Sequence, residues 1–222
     1  MPGRRRHAGK LTYNYRMTSS RWHLHALRLA ALSQNGLTFM EDPFDRQRWE
    51  EVRGIAAEML AAGAGASSEE IVQSLSREDG YATPKVDVRA AVFRDGEILL
   101  VQERSDGRWT VPGGWCDLGE SPGVAAAREV EEESGYRVRT TKLLAVYDKL
   151  RHGHPPSTWH AYKLFFRCEL TGGAPASSVE TAAAGFFAED DLPPLSLGRV
   201  TGAQIRRMFA HARDPSLPAD FD

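Results

Sequence analysis

Glu129, Glu132 and Glu133 stand three and four residues apart, so a helix carrying them gathers three carboxylates on one face. Three anions packed together repel one another unless a cation sits among them. Hard divalent cations such as Mg²⁺ take oxygen ligands and commonly bridge to phosphates. An ion held there can polarise a phosphoryl oxygen and help deprotonate water. Just upstream, Pro112-Gly113-Gly114 makes a turn where backbone can approach a ligand closely, because glycine has no Cβ. A bare run of glutamates is more often a solvated helix face, so the chemistry depends on what surrounds it.

The elements that would position these groups are legible on both sides. Ser121 suits an N-cap and Pro122 the first helical position. Val124-Ala125-Ala126-Ala127 continues the helix and Gly135 is placed to end it. From Lys85 to Phe93, Val86, Val88, Ala90 and Val92 alternate as in a half-buried strand. Asp95-Gly96 signals a hairpin turn, with Ile98 to Val101 as the return strand. Val138 to Leu150 and Trp159 to Leu170 are β-rich and are joined by His152-Gly153-His154-Pro155-Pro156. Gly172-Gly173 makes another turn, Val179 to Phe187 a short strand, and Arg199 to Ala212 a final helix. Glu189, Asp190 and Asp191 suit a helix start, where acids favour the dipole. Strands flanked by helices imply a mixed sheet between helical layers.

Residues 20–80 read as helical. Ser20 can cap a first helix to about Gln34, with Asn35-Gly36 as its stop. Asp45 can cap a second, in which Trp49, Val52, Ala56, Met59 and Leu60 repeat at helical spacing and Gly63 is the stop. Ser67-Ser68-Glu69-Glu70 is a capping-box pattern for a third, to about Arg77. About 60 residues in three helices make a marginal core alone, so they are expected to pack on a second domain or on a copy of themselves. Trp22 and Trp49 belong to such a core. His23 and His25, two apart, point to different helix faces and make a poor metal pair.

The chain has 222 residues, enough for one large or two small domains. Its net charge of −2 provides no global field to recruit nucleic acid or membrane. The two cysteines, Cys116 and Cys168, form no CxxC pair, which fits a reduced, cytoplasmic setting. No apolar run approaches the ~20 residues of a membrane span. Arg4, Arg5, Arg6, Lys10 and Arg16 occupy a stretch without acids or apolar periodicity. The expectation for 1–17 is a disordered basic tail, with Met17 as an alternative start; a nucleic-acid arm is the competing reading of those charges.

Taken together, Gly114, Glu120, Arg128, Glu129, Val130, Glu132, Glu133, Gly135 and Tyr136 resemble the signature box of the Nudix hydrolases. Tyr136 stands where that family usually has an aliphatic residue. The resemblance extends to Ala30 through Thr38, Tyr81 through Arg89, Asp106 through Trp115, Lys142 through Lys149 and Phe186 through Ser196, segments similar to a bacterial subfamily with a helical N-terminal domain. Its best-known member type is CDP-choline pyrophosphatase. The resemblance implies an α/β fold, a Nudix-type α/β/α sandwich with a mixed sheet, preceded by a small all-helical domain. The implied division is 18–82 helical, for packing and dimerisation, and 83–215 catalytic.

The resemblance also implies roles. Glu129, Glu132 and Glu133, with the Gly114 carbonyl, would hold Mg²⁺, with Mn²⁺ as a substitute. Arg128 and Glu120 would brace helix and loop. The general base varies in the superfamily, so Glu129, Glu133 and the later Glu180 all stand as candidates; Thr181-Ala182-Ala183-Ala184 after Glu180 is poorer in acids than in similar proteins. Arg104, Trp115, Tyr147 and His154 are the expected substrate contacts. Trp109, Trp159 and Tyr162 could add aromatic faces for a quaternary ammonium. The leading activity is a pyrophosphohydrolase acting on CDP-choline, with ADP-ribose or a nucleotide sugar as the alternative. The partners expected are a small nucleotide and a second copy in a homodimer, without membrane or nucleic acid. A nucleotide-sensing regulator is the non-catalytic alternative; it would not need the complete carboxylate set. RNA trimming lacks a basic stripe to support it.

Overall fold

The protein is described here as a computed structural model covering residues 21–64 and 66–222. The basic tail expected over 1–17 lies outside the described residues. Three helices come first: α1 (Arg21–Phe39), α2 (Pro43–Ala64) and α3 (Ser68–Leu75). Helix α1 does not stop at Asn35-Gly36. A Cβ on Gly36 would fall 2.3 Å from the Trp49 ring, so this glycine lets α2 approach rather than ending α1. Gly63 lies at the end of α2, which closes at Ala64 as expected, and a Cβ there would lie 2.7 Å from Trp22. Helix α2 is capped by Asp42, not Asp45, its carboxylate accepting from the Phe44 and Asp45 N–H groups at 2.9 and 3.0 Å. Helix α3 has the expected capping box between Ser67 and Glu70. The helical core is built on small residues, Ala26, Ala30, Ala56 and Ala57, with Leu60, Ile71 and Leu75, and Trp159 packs against it from the second half.

That second half contains β1 (Lys85–Arg94), β2 (Glu97–Glu103), β3 (Trp109–Thr110), α4 (Pro122–Ser134), β4 (Tyr136–Asp148), a 3-10 turn (Lys149–Arg151), β5 (Ala161–Gly173), β6 (Thr181–Phe187), α5 (Gly202–Arg213) and β7 (Asp220–Phe221). The strand order is β3-β2-β1-β5-β4-β7, with β6 paired to β2. The sheet is mixed: β1 runs parallel to β5 from Lys85↔Ala161 to Val92↔Cys168 and antiparallel to β2 at Phe93↔Ile98. Strand β1 is not half-buried as its alternation suggested; Asp87 through Val92 are all buried, because both faces are covered. On one face Ala91, Leu100 and Phe165 meet Ile205, Met208 and Phe209 of α5. On the other, Val88, Ala90 and Leu99 meet Ala125, Ala126 and Val130 of α4. The result is the α/β/α sandwich.

Local signals set the details around the site. Asp95 and Gly96 take φ of 53° and 83°, the left-handed pair of a tight hairpin. Gly135, at φ 75°, ends α4. Glu189 to Asp191 form a turn, not a helix start, and Glu189 is engaged by Arg213. The next helix begins only at Gly202, under a Thr201–Gln204 capping box. The glycine loop after β3 lies along the outer edge of β1. The N–H groups of Val88 and Ala90 donate to the Gly114 and Pro112 carbonyls at 2.8 and 2.9 Å, and the Cys116 N–H donates to Val86 at 3.0 Å. Among the described residues no helix is long and apolar enough to cross a membrane.

Candidate active site

A cavity of about 740 Å³ opens where the N-terminal half of β1, the glycine loop, the inner face of α4 and the 3-10 turn meet. Loops ahead of β6 and α5 close its sides. Helix α4 contributes Glu129 and Glu133, both buried, and Glu132, which is exposed. Gly113 and Gly114 let these carboxylates sit against backbone. The Glu133 carboxylate accepts the Gly113 N–H at 2.9 Å. A Cβ on Gly114 would fall 2.9 Å from the Glu129 carboxylate. Gly113 itself has φ 143°, and its missing Cβ would lie 2.0 Å from the Val88 carbonyl oxygen. Only glycine allows that crossing of loop over strand.

Arg128 organises the outer rim. Its guanidinium donates to both oxygens of Glu120, at 3.0 and 3.2 Å from Nε, and to Glu132 at 2.8 Å, and lies 3.1 Å from Glu129. The Arg128–Glu120 contact pins the loop before α4 to the helix. The same arginine holds Glu132 away from the interior. Among the described residues, no three acidic, histidine or cysteine side chains converge as they stand around one point.

Under the cavity lies a buried ion cluster. Asp87 accepts from Arg89 at 2.7 and 2.9 Å and from the Lys163 ammonium at 2.9 Å. Burial pushes the Asp87 carboxyl up, but Arg89 and then Lys163 outweigh it and hold it down at about 2. Lys163 is pushed down to about 7, first by burial and then by Arg89. Glu103, at the end of β2, is buried and paired with Arg199 at 2.8 Å.

The electrostatics reveal a shortage of positive charge near α4. Burial raises the carboxyls of Glu103, Glu129 and Glu133 above the usual range, against the pull of Arg199, Arg128 and Arg89 respectively. Glu133 is pushed up to about 8, with Glu129 and Glu103 adding to the effect. Buried carboxylates with incomplete counter-charge, all oxygen donors and flanked by a backbone carbonyl, are a donor set suited to a hard divalent cation. Glu129 and Glu133 both lie against the Gly113-Gly114 backbone, whereas the Gly114 carbonyl accepts the Val88 N–H at 2.8 Å and Glu132 is held by Arg128.

The remaining expected residues are placed as follows. Glu180 lines the cavity from the loop before β6 and is exposed. Trp115 lines the mouth. Arg104 does not line the cavity: its Nε donates to the Ser178 carbonyl at 3.1 Å, bracing the loop that carries Glu180. Tyr147, expected to contact substrate, does not line the cavity; it is buried in the core beneath α5, with its hydroxyl 2.8 Å from Asp220. His154 is also off the wall, buried with Nδ1 2.7 Å from the Leu197 carbonyl. Of the other aromatics, Trp109 packs edge-on against Phe187 and Trp159 against the helical core. Asp87, Arg89, Glu103, Lys149 and Arg199 also line the cavity, although sequence reasoning did not single them out. A signal existed for two of them: Asp87 and Arg89 are charges set between the valines of an apolar strand.

Residues 83–208 match the family described as NUDIX domain, and residues 20–75 match the family described as UDP-X-like, N-terminal oligomerisation domain. YjhB of Bacillus subtilis, provisionally named an ADP-ribose pyrophosphatase, is 44% identical over 203 residues, covering 91% of this chain and 98% of its own. A crystal structure of UDP-X diphosphatase is similar at 35% identity and a TM-score of 0.60, covering 90% of this chain and 98% of that one. A crystal structure of an ADP-ribose pyrophosphatase from Streptococcus suis is similar at 42% identity and a TM-score of 0.59, covering 63% of this chain and all of that one.

Proposed function

The chain belongs to the Nudix hydrolase superfamily as a pyrophosphohydrolase, and on that premise we propose that its cavity takes a nucleoside diphosphate linked to a second group, with Mg²⁺ as the working ion. The observation that carries this reading is the burial of Glu129 and Glu133 against the Gly113-Gly114 backbone, where Glu129 shares Arg128 with Glu120 and Glu132 and, among the described residues, Glu133 has no ion pair. Glu129, Glu133 and the Gly114 carbonyl would hold the ion, joined by Glu132. When bound, it would supply charge stabilisation to the phosphoryl oxygens and make water easier to deprotonate. Arg128 and Glu120 keep α4 and its preceding loop in register.

Glu180 is the residue we assign to receive the water proton. Glu129 is engaged by Arg128, and Glu133 accepts the Gly113 N–H. Among the described residues the Glu180 carboxylate has no such partner, and it faces the cavity. A base must be free to accept a proton and within reach of the reacting water.

ADP-ribose is the linked nucleotide we favour. The relatives with that name are similar across most of this chain or across all of their own length. CDP-choline is the second reading, supported by Trp115, which is 47% exposed on the cavity wall and offers a face to a quaternary ammonium. A single ring is a weak cage: Trp109, Tyr147 and Trp159 pack in or against cores, and Tyr162, though exposed, does not line the cavity. Steady-state rates with ADP-ribose, CDP-choline and UDP-sugars in Mg²⁺, with products identified, test this. Release of a nucleoside monophosphate and a phosphorylated second group supports the reading; turnover of none of them refutes it.

Residues 18–82 form the oligomerising unit and 83–215 the catalytic unit in this proposal, assembled as a homodimer. Helices α1 and α2 expose Leu32, Phe39, Phe44 and Ile55, apolar surface that a second copy would cover. Light scattering on the purified protein should give twice the chain mass, and Phe39→Asp with Phe44→Asp should halve it. A monomeric wild type refutes the dimer.

A further inference from the structure

Four cations line the active-site cavity: Arg89, Arg128, Lys149 and Arg199. Three are already neutralised. Arg89 makes a two-point contact with Asp87 at 2.7 and 2.9 Å. Arg128 is held by Glu120, Glu129 and Glu132. Arg199 lies 2.8 Å from Glu103. Lys149, the first residue of the 3-10 turn after β4, differs. Among the described residues its ammonium has no carboxylate at ion-pair distance and no hydrogen-bond acceptor.

Its surroundings increase the imbalance. The charged groups around Lys149 are Asp87, Arg89, Arg199 and Lys163. Asp87 already serves both Arg89 and Lys163. One carboxylate therefore faces a group of cations, and burial further disfavours the Lys149 charge. A half-buried charge is stabilised when something pairs with it, and Lys149 lines the cavity. Among the described residues none of Glu129, Glu132 or Glu133 pairs with Lys149; their ion pairs run to Arg128.

We propose that Lys149, flanked by Arg199, seats the second phosphate of the substrate, the one that is not engaged at the α4 carboxylates. The assignment rests on the reading that the cavity takes a diphosphate, and it adds the residue that binds the other half. A compact ammonium on a flexible stem suits a phosphate oxygen as a point charge. One end of the cavity attracts a divalent cation and the other a phosphate. That polarity orients a diphosphate along the cavity and disfavours a neutral ligand. Arg199 alone would not suffice, because its Nε is taken by Glu103 and its Nη1 donates to Ser196 at 3.1 Å.

The test uses the full chain with Lys149→Met and Lys149→Arg. Calorimetric titration with inorganic pyrophosphate in EDTA reads the seat without metal, nucleoside or turnover. We expect measurable binding by the wild type, at least about a tenfold loss in Lys149→Met, as for one charge-assisted hydrogen bond, and recovery to within about threefold in Lys149→Arg. With the best nucleotide substrate in Mg²⁺, Lys149→Met should raise KM by a similar factor while kcat changes by less than about threefold. Equal pyrophosphate affinity for wild type and Lys149→Met, both folded by circular dichroism, overturns the proposal, as does no binding by the wild type. If the wild type cleaves no linked nucleotide, the functional reading fails, yet the pyrophosphate titration still decides the seat.

Discussion

Asp87→Asn tests the foundation of the site. Asp87 is one carboxylate holding two buried cations, Arg89 at 4% and Lys163 at 1% exposure. Asparagine keeps the shape and one acceptor but removes the charge. The carboxyl is held at about 2 against an ordinary 3.8, and every tenfold gain in acidity on folding is worth about 1.4 kcal/mol. That gives about 2 kcal/mol. Stranding a buried partner typically costs about 3–5 kcal/mol. Lys163, already pushed down to about 7, can shed its proton when its anion is lost, which favours the lower end. A loss of about 3 kcal/mol corresponds to a fall in Tm of roughly 6–12 °C for a chain this long. Calorimetry or circular dichroism at neutral pH reads it.

The pH dependence adds a second check on the same residue. Its folded pKa is depressed, so the contribution of Asp87 is fully present above its unfolded pKa near 4. It is lost as pH falls toward about 2. Asp87→Asn should remove that part of the acid limb. Adding Lys163→Met should restore part of the lost stability by deleting one stranded cation. A variant melting within about 2 °C of the wild type would refute the buried ion cluster. Activity should fall in parallel, because Arg89 lines the cavity only while Asp87 holds it.

Glu133→Gln can keep the Gly113 N–H bond through its amide oxygen, so it should fold normally while kcat drops by roughly 10²-fold or more; unchanged initial rates in Mg²⁺ would remove Glu133 from the site. Glu132→Gln should act in the same direction and raise the Mg²⁺ requirement, and EDTA should silence the wild type. Gly113→Ala places a Cβ on the Val88 carbonyl at a φ of 143°, so the loop must leave β1, with a Tm loss of several degrees and near-complete loss of activity; a fully active alanine variant would contradict the crossing. His154 is pushed down to about 4 by burial, which means its stabilising neutral form is fully present above pH 6.5 and is lost as pH falls toward 4. That loss amounts to about 3 kcal/mol. Urea unfolding at pH 7 and pH 5 should show about 2 kcal/mol of that drop, and His154→Gln should flatten it.

The sequence by itself determined the parts that depend on near neighbours along the chain. Pro122 and Gly135 bracket α4, and the spacing of Glu129 and Glu133 puts both on its inner face, because helical geometry is local. The Asp95-Gly96 hairpin and the Ser67–Glu70 capping box are local in the same sense. Glycine was ambiguous. Gly36 read as a stop, yet it lies inside α1 because Trp49 needs the space, and that contact is tertiary. Charge was more ambiguous still. Asp87 and Lys163 are opposite each other only because β1 and β5 pair in parallel, across 76 residues of chain. Glu132 shares a helix face with its neighbours, yet Arg128, itself anchored by Glu120, diverts it to the rim. Tyr147 and His154 looked available and were buried, whereas Lys149 was passed over and faces the cavity. Burial and pairing set what a charged side chain can do, and both are decided by which distant segments the sheet brings together.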